Sequence, residues 1–282
     1  MILVADSGAT KTDWCLIDEK GERKAFATIG LNPTYLVDGS VLDGEIACLA
    51  EDMRCTDDVR KVFFYGAGCS DEENRQKIAK SIARHFVNAE TEVFTDLLGA
   101  CRACCGNADG IVGILGTGSN SCVYQKGEIV ANIPSAGYML GDEGSGTYIG
   151  KQLLKKYLTA RMPDDIKAEF GEFINNLSRC EILDIVYRKP SPNKFFASLT
   201  PFVLNNTQNA FFKSLVCDCL DDFFENQICL YNTELKDMYM VGSVASILGK
   251  QLRECAAKHG FVLRKVLQKP IEGLAEYHSK NG

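Results

Sequence analysis

The stretch "ADSGATKTDWCLID", residues 5–18, decides how this chain is read. It leaves a short apolar strand, passes through a turn of small and hydroxyl residues holding one lysine, and enters a second apolar strand. Small residues such as Gly8 let the backbone of "DSGATKT" come close to a ligand, Thr10, Thr12 and several backbone N–H groups supply donors, and Lys11 supplies a positive charge. Phosphate oxygens match that set. The stretch is not a Walker loop, which runs from strand through GxxxxGK[ST] into a helix, because here a strand follows. Taken alone it reads equally as an ordinary hairpin turn, since Gly and Asp are what turns demand. Asp6 changes the balance. A carboxylate at the end of an apolar strand, beside a phosphate-like turn, is placed to hold the hydrated magnesium that phosphates bring with them.

Working outward, the first strand is Ile2 to Ala5, the second runs through Trp14, Leu16 and Ile17, and a tight turn at Lys20-Gly21-Glu22 leads to a third through Phe26 toward Ile29. That is a three-strand meander. A helix follows with Leu42, Ile46, Leu49 and Met53 on one face, then a nearly continuous apolar strand, Val62 to Tyr65. A second helix is predicted to open with a capping box, Ser70 and Glu73, and to bury Ile78, Ile82 and Phe86. Strand Glu92 to Thr95 ends at Asp96, and a small-residue helix, Leu97 to Cys105, closes the unit.

The arrangement then restarts. "GIVGILGTGSNSCVYQKGEIVANI" reads strand, glycine-rich turn, strand, Lys126-Gly127-Glu128, strand, so the chain carries a structural repeat. After "MLGDEGSGTYIG" come a helix through Ile149, Leu153, Leu154 and Leu158 and two amphipathic helical segments over roughly 163–190 and 194–231. The chain finishes with strand Met238 to Val241, a turn at Gly242-Ser243, a helix through Ile247, Leu248 and Leu252, a strand near 261–267 and a last short helix. Two α/β lobes are expected, residues 1–106 and residues 107–282, the second with a helical insertion. No Pro/Gly/Ser-rich linker separates them.

Composition narrows the function. With 282 residues and 46% hydrophobic content the chain can bury a substantial core. A net charge of -6 argues against nucleic acid as a partner. Thirteen irregularly spaced cysteines suit a reducing cytoplasm better than a disulfide framework. Neither a signal peptide nor a membrane span is expected.

Other motifs add chemistry. "LGTGSN", residues 115–120, repeats the logic of the first turn with Thr117, Gly118, Ser119 and Asn120, and two such hairpins at equivalent places are harder to dismiss than one. Asp96 stands at the carboxyl end of a strand, where open α/β sheets bind ligands. It is placed either to accept a proton from a substrate hydroxyl attacking phosphorus or simply to cap the helix after it. Asp142 and Glu143 in "GDEGSG" complement a helix dipole or hold sugar hydroxyls. Asn32 in "GLNPTY" is a turn residue or a sugar ligand, and "MVGSVASILG" is a plain strand-to-helix connection or a nucleotide contact. "CRACC", residues 101–105, offers one CxxC on a helix, so its cysteines read as buried small residues. His85, His259 and His278 read as surface or boundary residues.

The run "DSGATKTDW", "FTDLLGA", "GTGSN", "GDEGS" and "VGSVA" resembles the actin, sugar kinase and heat-shock ATPase superfamily, and within it the N-acetylglucosamine kinases and their BadF/BadG-type ATPase relatives. The resemblance implies two ribonuclease-H-like lobes with a nucleotide in the cleft between them, a sugar substrate, ATP and Mg2+, and a homodimer. It implies that Gly8, Thr10, Lys11 and Thr12 form one phosphate loop and Thr117 and Gly118 the other, and that Asp6 organises magnesium through water. It further implies Asp96 as the base that takes the proton of the sugar 6-hydroxyl, Asn32, Asn120 and Asp142 as sugar ligands, and Gly242, Ser243 and Val244 as the adenosine motif. The expected activity is phosphorylation of N-acetylglucosamine to its 6-phosphate.

Three other readings remain open at this point. One is a kinase of glucosamine, N-acetylmuramate or a plain hexose. Another is a BadF-type activator that couples ATP hydrolysis to electron transfer through an iron–sulfur cluster bridging a dimer, for which "CRACC" is poorly placed. The third is a non-catalytic sugar sensor, against which the lack of an appended DNA-binding segment and the presence of Asp96 both speak.

Overall fold

The computed structural model describes every residue except Ala9, Tyr35, Val37, Asp38 and Gly282. The chain divides into two compact units, one of Met1–Ala108, Lys126–Glu128 and Lys269–Gly282, the other of Asp109–Gln125 and Ile129–Gln268. In chain order the first unit contains β1 (Ile2–Ser7), β2 (Lys11–Ile17), β3 (Arg23–Ile29), α1 (Gly39–Met53), β4 (Lys61–Gly66), α2 (Glu72–His85), β5 (Glu90–Thr95) and α3 (Asp96–Cys105). Its sheet has the order β3-β2-β1-β4-β5. The β1–β2 and β2–β3 pairs are antiparallel and β4 and β5 continue parallel to β1. Central strands covered on both faces must be apolar throughout, and Leu3, Val4 and Ala5 of β1 are fully buried. Trp14 and Phe64 meet at 5.8 Å under the apolar stripes of α1 (Leu42, Ile46, Leu49, Met53) and α2 (Ile78, Ile82).

The second unit contains β6 (Gly110–Leu115), β7 (Ser119–Gln125), β8 (Glu128–Asn132), α4 (Gly137–Leu140), α5 (Gly146–Leu158), α6 (Asp164–Phe173), α7 (Arg179–Arg188), α8 (Pro192–Leu204), α9 (Ala210–Asn226), β9 (Asp237–Val241), α10 (Ser243–Ile247), α11 (Gly249–Lys258) and β10 (Val262–Leu267), and α12 (Ile271–Asn281) ends the chain. Its sheet order, β8-β7-β6-β9-β10, repeats the first, with β6–β7 antiparallel and β6–β9–β10 parallel. A large apolar cluster built on Phe170, Phe202, Phe212, Phe223 and Phe224 fills the helical layer. Helices α5 and α8 touch at the backbone, since a Cβ on Gly150 would lie 1.9 Å from the Phe196 carbonyl oxygen.

Several expectations need correction. The segment 163–190 is two helices, because Asn175 and Asn176 adopt positive φ (55° and 54°) and Ser178 with Glu181 then starts α7 as a capping box. The segment 194–231 also breaks, with Asn209 capping α9 through the Phe211 N–H. The cap of α2 is Asp71, which accepts from Asn74 N at 2.8 Å, so the Ser70–Glu73 box is not formed. The predicted helix after Gly242 is interrupted at Leu248, leaving the five-residue α10.

The chain end also departs from the sequence reading. Residues from Lys269 onward belong to the first unit, where α12 packs on α3, β1 and β2. A Cβ on Gly273 would meet the Ala103 carbonyl oxygen at 2.5 Å, so the two helices are in backbone contact. His278 is not a boundary residue. It is 4% exposed, stacked 3.8 Å from Phe63 and 2.8 Å from the Tyr65 hydroxyl, and burial pushes its pKa down to about 4. Among the described residues no helix is long and apolar enough to cross a membrane.

Candidate active site

Parallel register brings the ends of β1, β4 and β5 level, with Ser7 beside Gly66 and Gly66 beside Thr95. Asp6 lies one residue before that line and Asp96 one residue after it. The capping role left open for Asp96 belongs to Thr95, whose hydroxyl accepts from Leu98 N at 3.2 Å. Asp96 is therefore left at the first position of α3, with Oδ1 accepting its neighbour's Leu97 N–H at 2.9 Å. Both residues are half-buried. Burial holds Asp96 above the ordinary carboxylate range, opposed by its backbone hydrogen bonds. Burial, then the charges of Asp96 and Asp13, push Asp6 up to about 7. This is an acid pair short of positive charge.

The nearest cations are already shared. Asp13 takes Lys11 Nζ on Oδ1 at 2.6 Å and Lys269 Nζ on Oδ2 at 3.0 Å. Burial works against the Asp13 charge, but those two lysines outweigh it and hold its pKa low. In the turn itself, Gly8 N donates to Lys11 O at 3.0 Å and Thr10 is exposed. Thr12 is different from its expectation as a phosphate donor. Its hydroxyl is fully buried, bonded to Ser7 Oγ at 2.8 Å and donating to Ile29 O at 2.9 Å, so this side chain closes the hairpin. Ser7 Oγ also accepts Leu31 N at 3.0 Å, anchoring the loop that carries Asn32.

Asn32 is buried, with Oδ1 accepting from Thr34 N at 2.9 Å. Gly68, at φ 81°, backs directly onto it, since a Cβ there would lie 2.2 Å from Asn32 Oδ1. The second glycine of "YGAGCSD" is the local signal for that close approach.

In the second unit Asp142 buttresses the "LGTGSN" turn. It sits at φ 56°, and its Oδ1 accepts Ser119 N at 3.2 Å and the Ser135 hydroxyl at 2.5 Å. Thr117 is exposed, and a Cβ on Gly118 would stand 3.2 Å from the Asp142 carboxylate. Asn120 Oδ1 is engaged locally by Ser121 N at 2.9 Å and Asn132 Nδ2 at 3.0 Å. Behind the turn lies Gln227, which local sequence pattern does not mark. It is 3% exposed, donates to Ser119 Oγ at 3.2 Å and accepts from Ser121 Oγ at 3.2 Å.

Gly242 has φ 122°, and a Cβ there would stand 2.2 Å from Leu115 O, so only glycine fits between the ends of β6 and β9. Ser243 is exposed and Val244 buried at the start of α10. A helix this short carries little dipole, so backbone N–H groups are what it can offer. None of the thirteen cysteines forms a disulfide, and Cys101 and Cys104 are buried.

The model of the BadF/BadG/BcrA/BcrD ATPase family matches residues 5–210, more than half of the chain. This chain belongs to that family. As a BadF/BadG/BcrA/BcrD family member it is 38% identical, with a TM-score of 0.92, to the solved structure of a candidate N-acetylglucosamine kinase from Porphyromonas gingivalis, over 100% of this chain and 99% of that one. A second such candidate, from Chromobacterium violaceum, matches at 19% identity and a TM-score of 0.67 over 98% of both chains. A ROK family glucokinase from Streptomyces griseus matches at 14% identity and a TM-score of 0.58 over 100% of this chain and 99% of that one, which shows shared fold alone. No curated protein matches this family member.

Proposed function

We propose that the chain is an ATP-dependent sugar kinase that converts N-acetylglucosamine to its 6-phosphate. The observation that carries this reading is Asp96, a carboxylate freed from helix capping at the end of a parallel strand and held by burial above its ordinary range. A raised pKa is what a base needs in order to take a proton from a sugar hydroxyl near neutral pH. The sugar 6-oxygen attacks the γ-phosphorus of ATP in line while its proton passes to Asp96. The bond to the β–γ bridging oxygen breaks and ADP leaves. Positioning and charge supply most of the acceleration in such a transfer. The end-to-end likeness to the Porphyromonas gingivalis protein supports the choice of sugar.

The donors divide by role. Gly8, Thr10 and Lys11 would meet phosphate, Lys11 by exchanging Asp13 for it, while Thr12 acts by holding the hairpin closed. Thr117 and Gly118 would offer phosphate contacts, Gly242, Ser243 and Val244 would face adenosine, and Asn32, Asn120 and Asp142 would serve the sugar. Asp6 fits magnesium, because a hard oxygen donor pushed up to about 7 by burial and a second carboxylate is a group that a hydrated divalent cation relieves. When bound, that ion neutralises charge on the phosphates. The same reading makes the protein a cytoplasmic homodimer acting on a small sugar. The activator reading finds no support in Cys101 and Cys104, which are buried where a dimer-bridging cluster needs exposed thiols.

Coupled ADP release with Mg-ATP and a sugar panel tests the proposal. Release that depends on N-acetylglucosamine and disappears in Asp96→Asn, with ATP binding retained, is the expected result. Sugar-independent release, or preference for glucosamine, N-acetylmuramate or glucose, overturns it.

A further inference from the structure

Helices α9 and α11 bring together three side chains that the kinase reading does not use. Cys255 and His259 lie one helical turn apart at the end of α11, and Asp221 reaches them from α9. His259 Nε2 is 3.0 Å from Asp221 Oδ1, Cys255 Sγ is 3.2 Å from the same oxygen, and the three atoms all lie within 4.8 Å of one another. Ligands bonded at about 2.0–2.3 Å to a tetrahedral ion stand roughly 3.3–3.8 Å apart, so little movement separates this cluster from a coordination sphere.

The surroundings hold each group in place. Lys258 Nζ takes the other Asp221 oxygen at 2.6 Å, which turns Oδ1 toward the thiol and the imidazole. Phe224 stacks on the His259 ring at 5.1 Å with the planes 10° apart. Cys229 Sγ lies 3.7 Å from His259 Nδ1. A partner on Nδ1 is the usual means by which Nε2 is presented to a metal. The His259 and Asp221 side chains are 13% and 25% exposed, so the cluster is shielded yet reachable.

We propose that Asp221, Cys255 and His259 bind one divalent transition-metal ion of the zinc class, with water as the fourth ligand, and thereby tie α9 to α11. Thiolate sulfur, imidazole nitrogen and carboxylate oxygen form a mixed set that suits zinc and not magnesium. On binding, Cys255 gives its thiol proton to solvent, and the proton on His259 Nε2 is replaced by one on Nδ1 that donates to Cys229. Asp221 is already ionised, since its hydrogen bonds from Lys258, His259 and Cys255 outweigh burial and hold its pKa low. One proton is released per ion and nothing is oxidised or reduced. Because the thiol must lose its proton to ligate, affinity should climb with pH.

The test uses the reduced, chelator-stripped 282-residue chain, titrated with Co2+ by optical absorption and then with Zn2+ against a chromophoric chelator. One equivalent of Co2+ should bind with a sulfur-to-cobalt charge-transfer band, and Zn2+ should displace it. Cys255→Ser should abolish the band, His259→Gln should lower zinc affinity at least about tenfold, and Cys229→Ser should weaken it by about tenfold or less. Cys180→Ser, at an exposed thiol on α7, should change nothing. Excess Zn2+ should raise the unfolding temperature of the unaltered chain but not of His259→Gln, and circular dichroism of each metal-free variant separates lost ligation from lost folding. Absence of stoichiometric binding, or a band that survives Cys255→Ser, overturns the proposal and leaves the cluster a closed hydrogen-bond network.

Discussion

The two sheets share one strand order and one pattern of parallel and antiparallel pairing, yet their first hairpins are built differently. In the first unit the turn between β1 and β2 carries a lysine, is closed by the buried Ser7 and Thr12 hydroxyls, and stands beside three carboxylates, Asp6, Asp13 and Asp96. In the second unit the turn between β6 and β7 carries no charge and is propped from outside by Asp142. Strand β6 has Ile114 where the register of β1 has Asp6, each being the next-to-last paired residue of its strand. Duplicating a fold duplicates its hydrogen-bond ladder and its core. Acids and cations are side-chain choices at the strand ends, and they need not be copied. On the proposed reading, acid–base chemistry would fall to the first unit.

The largest expected effect comes from removing Asp96. Asp96→Asn should lower kcat by about 10²–10⁴-fold while ATP affinity holds, measured by single-turnover phosphorylation beside calorimetry. A loss of less than tenfold would remove the base from the first unit. In the unaltered chain kcat/KM should fall as pH drops toward the carboxylates, and the fall should begin above the ordinary carboxylate range because Asp6 and Asp96 are both raised.

Next comes Gly242→Ala in the second unit, where a Cβ has neither room nor permitted φ. It should destabilise by about 2–4 kcal/mol in urea unfolding. Gly8→Ala is the matched change in the first unit. Its Cβ would meet only Lys11 O at 3.7 Å, so stability should move by less than about 0.5 kcal/mol while phosphate binding suffers.

Asp6→Asn should make the protein more stable and less active. The folded pKa of Asp6, about 7, lies above its unfolded value of 3.8, so between those limits the folded state binds more protons than the unfolded state. Stability therefore falls as pH rises through that window, and the cost of the buried charge is fully present above pH 7. The substitution should stabilise by about 1–3 kcal/mol at pH 8, after discounting because the residue is only half-buried, and by nothing below pH 4. A thermal melt series across pH checks the sign. Gly68→Ala, at φ 81° and with its Cβ on Asn32 Oδ1, should push Asn32 aside and raise the sugar KM by about tenfold, worth about 1.4 kcal/mol, with kcat little changed.

Much of this was legible from local pattern. The repeat was visible because each meander writes its own turn chemistry, and Asp96 was visible because a strand ending in Asp before a small-residue helix is a local feature. What stayed hidden depended on distant partners. Nothing near Thr12 says that its hydroxyl is consumed by Ile29, and nothing near Gln227 says that it backs the second turn. His278 looked like a boundary residue because its partners, Phe63 and Tyr65, lie on a strand far away in the chain.

By itself, then, the sequence determined the α/β class, the doubled meander, the two turns and the acid at the end of β5, because hydrophobic period and turn residues act over a few neighbours. Only the tertiary structure decided which hydroxyls and carboxylates remain available for a ligand. It alone returned α12 to the first unit and set Lys269 on Asp13, and it alone gathered Asp221, Cys255 and His259. The physical reason is that availability and pKa follow from burial and from partners brought close by folding, which no local pattern of residues encodes.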